Sequence, residues 1–265
     1  MRLWQSCCMS IGLCLMPLWG WATKAPITAP LNTPSGWHTS AGAYLWAISM
    51  NGSETINGQR MDVHDSFADI LKKLQSAGML WLSVGNGRFN LYFNGIRTNL
   101  ASEHQTSVGV TQKTHNTFAI YAGGISWNAI DVIRQQHAGQ VTRQLIVQPY
   151  AGVRYTSNAS TLDVGPLVFA QSANWTQPLL GTRLIYRFRQ NARLSLAGDL
   201  GYAGSDNQSF NAVVMLGFRN LFGCEALGLH LGYRYLHQYY QNHHGAFKWN
   251  MDLSGPILGL SLRFA

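Results

Sequence analysis

The chain has 265 residues, of which only 11% are charged, 12% are aromatic and 27 are glycine, where an ordinary soluble domain has about a quarter charged. Mean hydropathy is −0.04, and beyond the N-terminal segment no run approaches the roughly eighteen consecutive apolar residues of a spanning helix, which excludes a helical membrane protein. The net charge is +8; on an exported chain this fits anionic lipid, lipopolysaccharide or a polar interior lined with arginine, and argues against a nucleic-acid partner.

The N-terminus reads as an export signal. Arg2 supplies the positive start, an apolar stretch runs from Cys7 to Trp19, and Gly20 and Ala22 provide the small residues of a cleavage site,. Residues 1–22 are therefore predicted to be a signal peptide, followed by a linker over 23–40 and a single domain over 41–265. Three of the four cysteines fall in the signal, leaving Cys224 without an internal disulfide partner,.

From there a period of two recurs along the chain, the signature of strands whose faces meet different surroundings. "AYLWAISMNG" begins the series, and "VHDSFADILKKLQSAG" interrupts it. In this second stretch Val63, Phe67, Ile70, Leu71 and Leu74 recur at helical spacing, Ser66 can cap, Asp69 completes a capping box and Gly78 can stop the helix,. A helix here, in the first outer connection, either folds into the lumen as a plug or packs over one rim.

Strands resume with "MLWLSVGNG" and "RFNLYFNGI", then "FAIYAGGISW", where Gly123-Gly124 suggests a bulge. In "LIVQPYAGVRYT", Val147, Ala151, Val153 and Tyr155 oppose Gln148, Tyr150, Gly152 and Arg154. "LLGTRLIYRFRQ" sets Leu180, Leu184, Tyr186 and Phe188 against Gly181, Arg183, Arg187 and Arg189. "RLSLAGDLGYAG" opposes Leu194, Leu196, Leu200 and Tyr202 to Ser195, Ala197, Asp199 and Gly201. "NAVVMLGFRN" places Val213, Met215, Gly217 and Arg219 on one face, and "EALGLHLGYRYLHQYY" places Gly228, His230, Gly232 and Arg234. The chain closes on "GPILGLSLRFA", with Leu258, Leu260, Leu262 and Phe264 opposite Gly259, Ser261 and Arg263.

Most of these segments are near the nine to eleven residues a tilted strand needs to cross a bilayer. Aromatics end the apolar faces, where interfacial girdles belong. The opposite faces carry glycine and arginine with little aliphatic bulk, too little to pack a dry core, so a polar lumen is expected. Links alternate between short ones (Gly85-Asn86-Gly87, Gln190-Asn191, 220–226) and longer polar ones near 100–116, 157–174 and 240–246. The link at 130–143 is long for its side. The expected fold is all-β: an antiparallel transmembrane β-barrel of about ten strands (8–12), with one short helix in an early connection.

"WTQPLLGTRLIYRF", "GDLGYAGSDNQSFNAVVMLGFR", "GYRYLHQYY", "GPILGLSLRF", "QPYAGVRY" and "VHDSFADILKKL" resemble signatures of small Gram-negative outer-membrane β-barrel proteins of the OmpA/OmpW-like kind, over roughly residues 41–264. The resemblance implies fold and location and says little of activity. It implies recognition by the outer-membrane assembly machinery through a final strand ending in an aromatic residue, here Leu258, Leu260, Leu262 and Phe264. Ala265, following Phe264, departs from that pattern.

No His-x-Ser-Asn context of lipid-directed barrel enzymes is present; His64 and Ser66 fall where Ser66 is a cap, and Asp163 and Asp206 are rim residues without a motif. His237, His243 and His244 share the last outer loop without a metal-site pattern, so neither metal nor cofactor is expected. The inward arginines Arg154, Arg183, Arg187, Arg219, Arg234 and Arg263, with Asp199, have two readings. They either form a basic lumen favouring small anions, or pair with Asp199, Glu225 or tyrosine hydroxyls to knit a closed lumen. The expectation is a non-enzymatic protein of envelope structure or surface interaction, in contact with outer-membrane lipid and lipopolysaccharide. A narrow pore is the alternative, and a lipid-directed enzyme the third. The sequence does not fix an oligomeric state.

Overall fold

A computed structural model describes residues 37–264 apart from 57, 106–110, 138–139, 165–166 and 243–244. The predicted signal peptide and most of the expected linker, residues 1–36, lie outside the described residues. The elements are β1 (His38–Trp46), β2 (Ser49–Ile56), β3 (Gln59–Asp65), α1 (Phe67–Lys73), β4 (Leu74–Gly85), β5 (Phe89–Gln105), β6 (Thr111–Trp127) and β7 (Ile130–His137), followed by β8 (Gln140–Val164), β9 (Leu167–Arg189), β10 (Ala192–Tyr202), β11 (Asn207–Leu221), β12 (Cys224–Gln241) and β13 (Phe247–Phe264). The first strand thus starts at His38, inside the expected linker.

Strands β1, β4, β5, β6, β8, β9, β10, β11, β12 and β13 follow one another around a ring that closes where β1 pairs with β13. The result is a closed, antiparallel, ten-stranded barrel. Closure satisfies the ladder hydrogen bonds that lipid could not. The long link at 130–143 is a hairpin: β7 continues the line of β6 along β8, from Ile130 opposite Val147 to His137 opposite Gln140. It prolongs the wall and leaves the strand number at ten. No bulge occurs at Gly123-Gly124, since β6 keeps unbroken register with β5 and β8 through both glycines.

Two expected outer loops are also largely strand. Residues 157–164 and 167–174 form the paired ends of β8 and β9, and 100–105 and 111–116 those of β5 and β6. The predicted helix is half the expected length. Ser66 caps it through the Asp69 capping box as expected, but it ends at Lys73, and Gly78 lies within β4. Leu74–Gly85 reverts to strand because its alternating residues pair with β5 and, from Leu80 on, with β1.

The helix is neither plug nor rim cover. It is an insertion in the barrel wall between β3 and β4, with Ile70 turned into the core and Phe67 and Leu71 exposed. The wall is also interrupted beside it, where β1 breaks at Ala47-Ile48 and resumes as β2, both pairing with β13. The cause is Gly255-Pro256: Ala47 N donates to Pro256 O at 2.9 Å, and a Cβ on Gly255 would stand 1.9 Å from Ala47 O. Only glycine fits there.

Strand β13 displays the central property of the wall. Inward-facing residues are Phe247, Trp249, Met251 and Leu253 in its first half, then Gly255, Ile257, Gly259, Ser261 and Arg263. Outward are Lys248, Asn250, Asp252 and Ser254, then Pro256, Leu258, Leu260, Leu262 and Phe264. Parity is unbroken, but polarity exchanges between the faces near Gly255. Strands β5, β6, β9 and β12 do the same: Arg97, Asn99, Thr117, Asn174 and His237 are outside where Ile96, Phe118, Trp175 and Leu236 are inside.

The barrel therefore has a membrane half, apolar outside and polar within, and an outer half with the reverse arrangement. The expectation that the inner faces could not pack a dry core is corrected for this outer half. Trp46, Ile48, Ile70, Met79, Ile96, Phe118, Ile120, Trp175, Leu236, Phe247, Trp249, Met251 and Leu253 form one buried apolar cluster there. Burying each large side chain contributes about 1.5–3 kcal/mol, which is why the strands can stand beyond the lipid.

Candidate functional site

The lumen is layered. At mid-depth, β8 points Arg154 across the barrel, where its guanidinium donates to Asp199 of β10 at 2.5 Å and to Ser209 of β11. Both charged groups are buried, at 1% and 5% exposure. Asp199 also accepts from Tyr150 Oη (2.9 Å) and Asn211 Nδ2 (2.7 Å). Arg234 of β12 donates to Asn211 (2.8 Å) and to Asn94 of β5 (3.5 Å), and lies 4.7 Å over the Trp46 ring, a cation–π arrangement that suits a desolvated guanidinium. Tyr44 closes the layer by bonding Asn94.

Of the arginines expected inside, Arg154 pairs with the carboxylate Asp199, and Arg234 is held by amides and an aromatic face. Arg183 donates to Gln148 (3.1 Å) and lies 5.7 Å from the Tyr150 ring. Arg187, Arg219 and Arg263 sit at the end of the lumen that carries the short turns, beside Arg193. Glu225, the other expected acidic partner, is exposed at the turn-side start of β12. Arg193 was missed by sequence reasoning, although it shares the parity of Ser195 and Asp199. The neutral partners Tyr150, Asn94, Asn211 and Gln148 gave no sequence signal.

Above the arginine layer, Gln238 of β12 donates to Thr156 of β8 (2.8 Å) and Asn158 of β8 donates to Glu54 of β2 (2.9 Å). Glu54 stands beyond the membrane half, and burial pushes its carboxyl up to about 7 against the one bond from Asn158. Unfolded, it ionises near its ordinary 4.5. Its neutral form is favoured in the fold, so stability is greatest below about pH 4.5, falls as pH rises toward 7, and levels above,. Urea unfolding of the refolded barrel is expected to show a loss on the order of 2–3 kcal/mol between pH 4.5 and 8, flattened by Glu54→Gln; an unchanged slope in that variant would assign the pH dependence elsewhere.

On the exterior, His237 lies within β12, not in a loop. It bonds Asp252 at 2.9 Å, and Tyr235 Oη donates to the same carboxylate at 2.5 Å. No serine or threonine hydroxyl bonds His237 among the described residues. Nor do the described residues include a group of three metal-ligating side chains; His243 and His244 lie outside them. His64 bonds Asn51, and Ser66 is occupied as the helix cap.

The membrane half faces outward with Leu45, Leu80, Leu82, Leu91, Phe93, Ile125, Val153, Leu180, Leu184, Leu196, Leu231, Leu258, Leu260 and Leu262, all between 39% and 67% exposed. Tyr121, Tyr155, Tyr233 and Tyr235 mark its outer edge; Phe89, Trp127, Tyr186 and Phe264 mark the turn-side edge. So much exposed apolar surface in a closed band is the surface of a protein that meets lipid. The chain is a transmembrane-type β-barrel.

No known family model matches the sequence, and no curated protein matches it at a significant level. Solved structures do. The chain is similar to the outer membrane protease OmpT from Escherichia coli, with 8% identity over 87% of this chain and 98% of that one and a TM-score of 0.49. It is similar to Ail, the attachment invasion locus protein of Yersinia pestis (8% identity, 87% and 99% covered, TM-score 0.35). The translocator domain of the autotransporter NalP from Neisseria meningitidis also matches (13%, 88% and 90%, TM-score 0.34). The likeness is one of barrel architecture.

Proposed function

We propose that the protein is a non-conducting, non-enzymatic barrel of the Gram-negative outer membrane, contributing envelope structure or surface contact through its outer half. The observation that supports this reading is that side chains cross the lumen at successive depths. Arg154 and Arg234 do so at mid-depth, Gln238–Thr156 and Asn158–Glu54 above them, and the Phe118–Trp249 and Trp175–Tyr240 stacks (5.7 and 4.7 Å) near the outer end. A ten-stranded ring has little bore to begin with, and an apolar plug offers a hydrated ion no passage. The polar outer wall then faces lipopolysaccharide and the surroundings of the cell. The closing strand, with Leu258, Leu260, Leu262 and Phe264 turned to lipid, is what an assembly machinery reading C-terminal strands would meet.

Refolded full-length protein in planar bilayers is expected to give no steady conductance. Steady channels whose anion preference disappears in Arg183→Gln/Arg187→Gln would overturn the closed-lumen reading in favour of a pore. Hydrolysis of phospholipid or lipopolysaccharide by the same preparation would overturn the non-enzymatic part.

A further inference from the structure

The turn-side end of the lumen presents an arrangement that folding alone does not favour. Arg187 of β9 and Arg193 of β10 are directly opposed on the inner face, and like charges in that position destabilise a sheet. Arg193 further lies within the fields of Arg219, Arg183 and Arg263, and Arg219 within those of Arg263 and Arg187. Against this group stands Asp131, the carboxylate whose charge reaches Arg187, and its side chain already accepts from Gln144 at 2.6 Å. The guanidinium groups of Arg187, Arg193 and Arg219 make no hydrogen bond or ion pair among the described residues.

The backbone has been shaped around them. Gly217 faces Arg193 across the β10–β11 ladder, and a Cβ there would come within 3.2 Å of Arg193 Nε and 3.3 Å of His230 Nδ1. His230 is fixed in turn by Ser261 at 2.8 Å and by the edge of Trp81. Arg187, Arg193 and Arg219 meet Gln190, Asn191 and Ala192 at the turn-side mouth, around a surface depression with no enclosed space. Beyond this cluster the lumen is filled by the Arg154–Asp199 layer and the apolar core, so an anion would approach the arginines from the turn side.

We propose that this arginine cluster at the mouth is a binding site for a phosphate-bearing anion, held by Arg187, Arg193 and Arg219 with Arg183 and Arg263 adding to the field. Guanidinium forks match phosphate oxygens in charge and in bidentate geometry. A bound dianion turns the mutual repulsion into shared attraction, which accounts for opposed arginines without carboxylate partners. The inference goes beyond the closed-barrel function and does not depend on it. The phosphate belongs either to a soluble molecule on the turn side or to a lipid headgroup of the adjacent leaflet.

The test uses the refolded full chain in octyl glucoside with inorganic pyrophosphate, and in nanodiscs of phosphatidylcholine with or without phosphatidylglycerol, reading the thermal loss of the folded gel band. Pyrophosphate or phosphatidylglycerol is expected to raise the transition, with at least tenfold weaker half-saturation in Arg187→Gln/Arg193→Gln. Without anion, that variant should unfold no earlier than wild type, because the repulsion is gone; a structural role for the pair gives the opposite order. A response to pyrophosphate places the source in solution, whereas a response to phosphatidylglycerol alone places it in the leaflet. No response to either, or an equal response in the variant, overturns the site. Should the double variant fail to refold, Arg219→Gln carries the same comparison.

Discussion

Arg154→Met lowers the stability of the refolded barrel by about 3–5 kcal/mol, the cost of removing one partner from a buried ion pair. Met fills much of the space of the arginine stem, so the loss is not mainly one of packing. It arises because Asp199 stays buried, keeping the bonds from Tyr150 and Asn211 but no cation at 2.5 Å. Arg154→Met/Asp199→Asn is accordingly expected to recover most of the loss, since the remaining group is neutral and still bonded. Equilibrium unfolding in urea, in one detergent and at one pH, measures both. A loss below about 1 kcal/mol for the single variant would mean that water screens this layer as it screens a surface pair.

Trp249→Ala is expected to cost about 3–5 kcal/mol, as for other large-to-small changes in packed cores. Trp249 is 4% exposed, stacks on Phe118 at 5.7 Å and lies 6.2 Å from Trp175. It therefore belongs to the two aromatic groups that fill the outer half. The same variant should make the outer ends of β8 and β9 cleavable by added protease while the membrane half stays protected, because these strands stand clear of lipid and depend on that core. A near-neutral change with unaltered cleavage would show the outer lumen to be hydrated and the aromatic cluster dispensable.

The barrel, its strand number and its closing strand were legible because lipid demands an uninterrupted apolar face, and "GPILGLSLRFA" or "EALGLHLGYRY" supplies it in plain alternation. The capping box at Ser66 and Asp69 was equally plain, since its partners are three residues apart. What the sequence hid lies where the solvents change. "FKWNMDLS" keeps the parity of β13, but its large residues now fall on the odd positions with Lys248 and Asp252 between them, so it shows no lipid-facing apolar stripe. Helical spacing carried past Lys73 because Leu74 and Gly78 fit a helix locally, while the ladder to β5 is a long-range pairing that spacing cannot reveal. The candidate sites show the same division. Arginine parity was readable, but which arginine meets Asp199 and which meets only other arginines depends on the ring order of the strands.

The exchange of polarity near Gly255 also fixes how deep the molecule sits. Moving outward by one residue pair would bring Leu258 and its ring of neighbours into water; moving inward would draw Ser254 and then Asp252 toward hydrocarbon, where a charge on a barrel wall is destabilising and more so with depth. Each strand that changes face repeats the penalty in both directions. The barrel thus carries its own waterline, encoded in which parity holds the large residues.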